Sequence, residues 1–222
     1  MEPPEIFVLS TQTLSAPLLD AAVRRGIQLD AVPFIHIELL EPGELPAGPA
    51  IVVFTSQHAA EALPAIDPEW KVFCIEGATR QLVEKRMERK VTGTAFSAEE
   101  LANKIIASSP GGRVVFFCGN LRRQELPSLL RQAGLAVEER VVYRTVLTPR
   151  RVEREYHGIA FFSPSGVESF FLANPVNAAT IYFAIGPTTA AAVKAITGRE
   201  AIIASKPDKE ILINELITHF KI

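Results

Sequence analysis

Four short stretches set hydroxyl side chains where a strand hands over to a helix: Thr55-Ser56, Gly77-Ala78-Thr79, Ser163-Pro164-Ser165-Gly166 and Gly186-Pro187-Thr188-Thr189. Serine and threonine accept a hydrogen bond from a first-turn N–H, and proline is tolerated there because its missing N–H had no partner. The remaining first-turn amides point outward at the positive end of the helix dipole. Such a place receives anions without needing a charged side chain. As ordinary caps each turn would contribute only about 1 kcal/mol. Four of them, two in each half of the chain, point beyond capping to an anionic ligand. None is a Walker loop or a GxGxxG, so a nucleotide is not indicated. Tyr143 stands apart, as a phenol in an extended segment. It could be a proton donor, a substrate anchor, or an interface tyrosine with a satisfied hydroxyl. Arg122 and Arg123 follow a strand end and could meet carboxylates, or lie solvated on a helix.

The elements that hold these turns can be read from apolar pattern. Ile159 to Phe162 and Ile51 to Phe54 are unbroken apolar runs, as expected of strands buried on both faces. Ile6–Leu9, Lys71–Ile75, Arg113–Cys118, Ile181–Ile185 and Ala201–Ala204 read as further strands. A helix is predicted over Leu14–Arg25, with Leu14, Leu18, Ala22 and Val23 on its apolar face and Gly26 as its stop. Others are predicted at Arg80–Arg89, from the capping box Ser97-Ala98-Glu99-Glu100 to Ala107, at Arg122–Ala133, and at Asp208–Phe220. Pro110-Gly111-Gly112 breaks the chain. Leu29–Leu40 and Val137–Leu147 are long and extended, with Pro33 interrupting the first.

Composition narrows the function. A chain of 222 residues, 48% apolar and 22% charged, can build cores for one large or two ordinary domains. A net charge of −2 offers no basic stripe for nucleic acid. No apolar run reaches the roughly 18 residues of a membrane span, and Met1-Glu2-Pro3-Pro4-Glu5 lacks the basic start of a signal peptide. A cytoplasmic protein is expected. Cys74 and Cys118 read as small buried side chains, and the four histidines show no ligand spacing, so no metal is expected.

An internal repeat organises the rest. Phe7-Val8-Leu9 precedes Val115-Phe116-Phe117 by 108 positions, Gly26 precedes Gly134 by 108, and Ser97 precedes Ser205 by 108. Ser56 and Ser163 differ by 107, Gly77 and Gly186 by 109. Two similar α/β domains with parallel sheets follow. Under this offset Tyr143 matches Ile35, so the fold itself does not require a phenol there. If the two long segments cross between domains, residues 1–35 join 149–222 and the middle forms the second domain. A simple tandem pair fits the periodicity as well.

IVVFTSQHAAEAL, GATRQLV, ELPSLLRQAGLAVEERVVYRT, FFSPSGVESFF and AIGPTTAAAVKA resemble, in order, the motifs of the uroporphyrinogen-III synthase family. The resemblance implies two flavodoxin-like domains joined by a two-stranded ladder around Ile37 and Val146, cut at 1–35 with 149–222, and 38–146. It also implies a cofactor-free cyclisation of hydroxymethylbilane, a linear tetrapyrrole with eight carboxylates. A monomer is expected. Loss of the terminal hydroxyl would give an azafulvene cation, and ring D would attack through its substituted carbon and reclose inverted. The family's tyrosine falls on Tyr143 as the acid, and its hydroxyl positions on Ser56, Thr79, Ser163, Ser165, Thr188 and Thr189. Thr55, Gly166 and Gly186 complete the substrate-binding set. His58 is a departure, since many members have asparagine or arginine there. A non-catalytic two-domain binding or sensor protein for a small anion is the alternative, because the same turns would serve it.

Overall fold

The computed structural model of the chain describes residues 6–108 and 112–220; Met1–Glu5 and the Pro110-Gly111 part of the expected break lie outside them. In order, the elements are β1 (Ile6–Ser10), α1 (Ala16–Val23), β2 (Ile27–Ala31), β3 (Ile35–Leu39), β4 (Ile51–Phe54), α2 (Gln57–Glu61), β5 (Lys71–Ile75), α3 (Ala78–Met87), β6 (Gly93–Ala95) and α4 (Ala98–Ser108). They continue as β7 (Arg113–Gly119), α5 (Glu125–Gln132), β8 (Ala136–Leu147), β9 (Gly158–Phe161), α6 (Pro164–Phe171), β10 (Ile181–Ala184), α7 (Pro187–Thr197), β11 (Ile202–Ile203) and α8 (Lys209–His219).

The chain divides into two compact units. One takes in the chain up to His36 and again from Val146 onward, and the other is Ile37–Thr145. The chain leaves the first unit within β3 and returns to it within β8. These two strands are neighbours at a sheet edge. Leu40 N donates to Val142 O at 2.9 Å and Thr148 N to Phe34 O at 3.0 Å, a pairing that runs antiparallel.

The first unit's sheet has the order β11-β10-β9-β1-β2, and every pair recorded in it is parallel. In chain order that is 2-1-3-4-5, the flavodoxin-like arrangement. The second unit's sheet runs β3-β8-β7-β4-β5-β6, with parallel pairing from β8 to β6. Setting β3 aside, the repeat offset maps β8, β7, β4, β5 and β6 onto β2, β1, β9, β10 and β11. The two sheets therefore have one spatial plan, entered by the chain at different points.

Alternation along the strands explains the layers. Ile51 and Val53 face α4 and α5 through Leu101, Ala102, Ile105, Leu126 and Leu130. Val52 and Phe54 face the other way, onto Ala59, Ala60 and Leu63 beside α2 and Val83 of α3. In the first unit Val8 and Ala160 meet α1 and α8, while Leu9, Ile159 and Phe161 meet α6 and α7. Both faces of each central strand are covered by helices, so these strands can be apolar throughout.

Two helices differ from expectation. Val23 is 69% exposed, so the fully buried residues of α1 are Leu18 and Ala22, with Leu19, Ala21 and, just ahead of the helix, Leu14 partly buried against the same core. Helix α5 begins at Glu125 rather than Arg122. Arg122 is drawn off into an ion pair with Glu139 of β8, and residues 120–124 form a turn and loop instead of the first helical turn. At α4 the capping box forms with a one-residue displacement. Ser97 Oγ accepts from Glu100 N at 3.1 Å, while the Glu100 carboxylate accepts from Phe96 N at 3.2 Å.

Candidate active site

Open parallel sheets bind ligands outside the carboxyl ends of their strands, where the strand order reverses. In the second unit that point lies between β4 and β7, and in the first between β1 and β9. The strand ends there are Thr55-Ser56 and Gly119-Asn120 in one unit, and Ser10-Thr11 and Phe162-Ser163 in the other. The turns after β5 and β10 lie one strand further out.

In the second unit the side chain set over the reversal point is Tyr143. Strand β8 pairs with β7 in regular register until Cys118 opposes Val141. A bulge then takes up Val142, so Gly119 opposes Tyr143. A bulge re-aims the side chain that follows it. Asn120 secures the strand beyond this point: its N donates to Tyr143 O at 3.2 Å, and its Oδ1 accepts from Thr145 N at 2.8 Å. The phenol lies flat enough on Gly119 that a Cβ there would come within 2.6 Å of Tyr143 Cε2 and 2.8 Å of Oη. Only a residue without a Cβ leaves that space. The imidazole of His58 meets the phenol ring edge to face, with centroids 5.6 Å apart at 63°. Burial pushes the Tyr143 hydroxyl above its usual pKa, the Ser56 hydroxyl pulls it the other way, and Cys118 adds slightly to the rise. The net effect keeps the phenol protonated, as a donor must be.

Ser56 caps α2 as expected, its Oγ accepting from His58 N at 3.3 Å, with Thr55 half-buried beside it. The turn after β5 does not work in the same way. Gly77 itself is the N-cap of α3, with φ 89° and no side-chain cap, and Thr79 is buried in the first turn. Glycine is needed there because the chain enters the helix through a left-handed φ. The carboxylate of Glu76 lies beside this turn, its pKa lowered first by the Thr94 hydroxyl and then by Arg80. Arg80 is spanned by Glu76 and Glu84, and Arg122 by Glu139, so neither brings free positive charge. Arg123, in the loop after β7, is exposed, so amides and hydroxyls, with Arg123 as the nearby cation, are what these strand ends offer an anion. Burial pushes the thiols of Cys74 and Cys118 up to about 12 and about 11, which leaves both unreactive at neutral pH. Among the described residues no group of three His, Cys, Asp or Glu side chains could hold a metal ion.

In the first unit Ser163 caps α6, its Oγ accepting from Gly166 N at 3.1 Å and lying 3.0 Å from Ser165 Oγ. A Cβ on Gly166 would stand 3.3 Å from Ser163 Oγ and 3.7 Å from Thr11 Oγ1, so the turn after β9 and the end of β1 close on one another. Thr11 is buried and donates to Ala160 O at 2.8 Å. After β10 the N-cap is Gly186, again without a side-chain bond. Thr188 is exposed and Thr189 buried, so neither caps the helix as expected. Ser56, Tyr143 and Thr55 thus belong to one cluster, Thr79 lies one strand away from it, and Ser163, Ser165 and Gly166 form a second cluster with Thr11. Four contributors were not anticipated from sequence: Thr11, Gly119, Asn120 and the contact of His58 with Tyr143. Only Thr11 carried a signal, as a hydroxyl at the end of an apolar strand.

Residues 17–214 match the family model described as uroporphyrinogen-III synthase HemD. Among solved structures the chain is similar to the uroporphyrinogen-III synthetase of Helicobacter pylori, with a TM-score of 0.72 and 16% identity over 96% of this chain and 99% of that one. It is also similar to a mutant uroporphyrinogen III synthase from the extremely thermophilic bacterium Thermus thermophilus, with a TM-score of 0.68 and 15% identity over 96% and 98% of the two chains. At these identities the structural likeness concerns the fold.

Proposed function

The chain belongs to the uroporphyrinogen-III synthase family, and from that premise we propose a cofactor-independent lyase whose acid is Tyr143. The reaction is the cyclisation of hydroxymethylbilane to uroporphyrinogen III with inversion of ring D. The terminal hydroxyl leaves as water, taking one proton, and an azafulvene cation remains. Ring D attacks it through its already substituted carbon, and the spiro intermediate fragments and recloses. One proton is released as the last ring regains aromaticity, so the net by-product is water. The electron-rich pyrrole drives departure of the hydroxyl, which needs only a hydrogen-bond donor as the C–O bond breaks. No electron acceptor enters this balance.

The observation that carries the assignment is the placement of Tyr143, a protonated phenol set over the strand-order reversal by the β8 bulge. Thr55, Ser56 and Thr79 in the second unit, with Ser163, Ser165, Gly166, Gly186, Thr188 and Thr189 in the first, are the proposed donors to the substrate's carboxylates. In this reading the domains are residues 1–35 with 149–222, and 38–146, and the protein acts as a cytoplasmic monomer without nucleic-acid or membrane partners. The net charge of −2 supports the absence of nucleic acid. Among the described residues no helix is long and apolar enough to cross a membrane. The test is isomer analysis. Incubation with hydroxymethylbilane, oxidation and separation should give type III uroporphyrin in excess over an enzyme-free control. Type I product alone would favour the non-catalytic binding protein instead.

The two first-unit hydroxyls separate binding from capping. Ser163→Ala removes a cap and should cost about 1 kcal/mol of stability, whereas Thr188 caps nothing in α7 and Thr188→Ala should cost none. Both should raise KM. Wild-type kinetics in both variants would remove them from the substrate site.

A further inference from the structure

We propose that His58 is a positioning residue for Tyr143, held for that purpose by Glu61. This rests on the reading of Tyr143 as the acid. The phenol ring has Gly119 of β7 beneath it, where its atoms occupy the space a Cβ would take. His58 supplies the opposing contact, its ring meeting the phenol edge to face at 5.6 Å. Such an arrangement is attractive beyond simple burial and sets a preferred ring angle. The imidazole is itself oriented: Nδ1 lies 2.7 Å from Glu61 Oε2, one turn further along α2. Its backbone is fixed as well, because His58 N donates to Ser56 Oγ. The hydroxyl acting on the phenol and the ring packed against it thus come from one short segment, Ser56 to Glu61. That segment follows directly from β4, at the strand-order reversal. A donor serving a breaking C–O bond must sit within hydrogen-bond reach of it, and a phenol free to swing off Gly119 would leave that position.

Kinetics of His58 variants in two backgrounds test this. His58→Ala should lower kcat about tenfold, since small misplacements of an acid cost up to about a hundredfold, and leave KM unchanged. His58→Phe keeps a ring edge against the phenol and should restore most of kcat. Glu61→Ala should lower kcat by a lesser factor than His58→Ala. In a Tyr143→Phe background, His58→Ala should have almost no further effect, because its target is gone. A raised KM in His58→Ala that persists without the Tyr143 hydroxyl, and that His58→Phe does not repair, would make His58 a direct substrate contact and overturn the proposal. So would independent, multiplicative losses in the double variant. Full activity in Tyr143→Phe alone would instead strike at the acid assignment, a failure visible before the cycle is closed.

Discussion

Tyr143→Phe should fold as the parent does, lose about 10²-fold in turnover, and still release mostly type III product. The fold is expected to survive because the ring that packs on Gly119 and against His58 is kept, and the substitution removes only the oxygen at its tip. The repeat points the same way, since the equivalent position is Ile35. The loss is bounded because the pyrrole nitrogen already pushes the hydroxyl out, so the acid assists a step that is possible without it. Isomer choice is expected to persist because the pose of ring D decides which carbon attacks, and Tyr143→Phe removes no proposed carboxylate donor. The pH profile gives a second measurement. Burial raises the phenol above its ordinary value of 10.0, so ionisation of Tyr143 should curtail activity only at pH above about 10. The acid remains intact across the neutral range. Full activity in Tyr143→Phe, or an alkaline limb at about pH 8 that this substitution abolishes, would contradict the assignment. A switch to type I product would make the residue an anchor for the substrate instead of an acid.

Most of the scaffold was legible because it rests on short-range pattern. Four consecutive apolar residues at Ile51–Phe54 and again at Ile159–Phe162 announce strands covered on both faces. The 108-residue offset pairs β1 with β7 and β4 with β9 from the sequence alone. Departures arose where a partner distant in sequence intervened. Arg122 had the pattern of a helix start, yet Glu139 on the next strand draws it into an ion pair and α5 begins three residues later. Val23 fits the apolar period of α1, but nothing covers that side of the helix among the described residues. The hydroxyl turns were visible as a class, whereas only Ser56 and Ser163 of the four are true side-chain caps. Glycine performs the entry at α3 and α7 and leaves the threonines in the first turn. The surroundings of Tyr143 were not legible. They depend on a bulge in one strand, a glycine 24 residues away on another, and an imidazole on a helix beyond a third.

That glycine yields the second large effect. Gly119→Ala should lower turnover at least as far as Tyr143→Phe, about 10²-fold, although position 119 donates nothing to a substrate. Its φ is not in the left-handed region, so the backbone itself tolerates a Cβ. The obstacle is the phenol, with Cε2 at 2.6 Å and Oη at 2.8 Å from where the new carbon would lie. Strand β7 is hydrogen-bonded to β4 on one side and β8 on the other, so it cannot easily retreat. The ring must move instead, by roughly an ångström, and it moves against His58. Displacement on that scale is enough to cost about 10²-fold when it misplaces a reacting group. Overpacking should also cost about 1–3 kcal/mol, read as a fall in Tm of about 2–4 °C per kcal/mol for a chain of this size. The two effects separate in a cycle. With Tyr143→Ala in the background the obstacle is absent, and Gly119→Ala should then be close to neutral for stability. An equal penalty in both backgrounds would place the strain in the β7 backbone rather than in the ring. Wild-type turnover in Gly119→Ala would mean that the phenol acts from somewhere other than the face of β7.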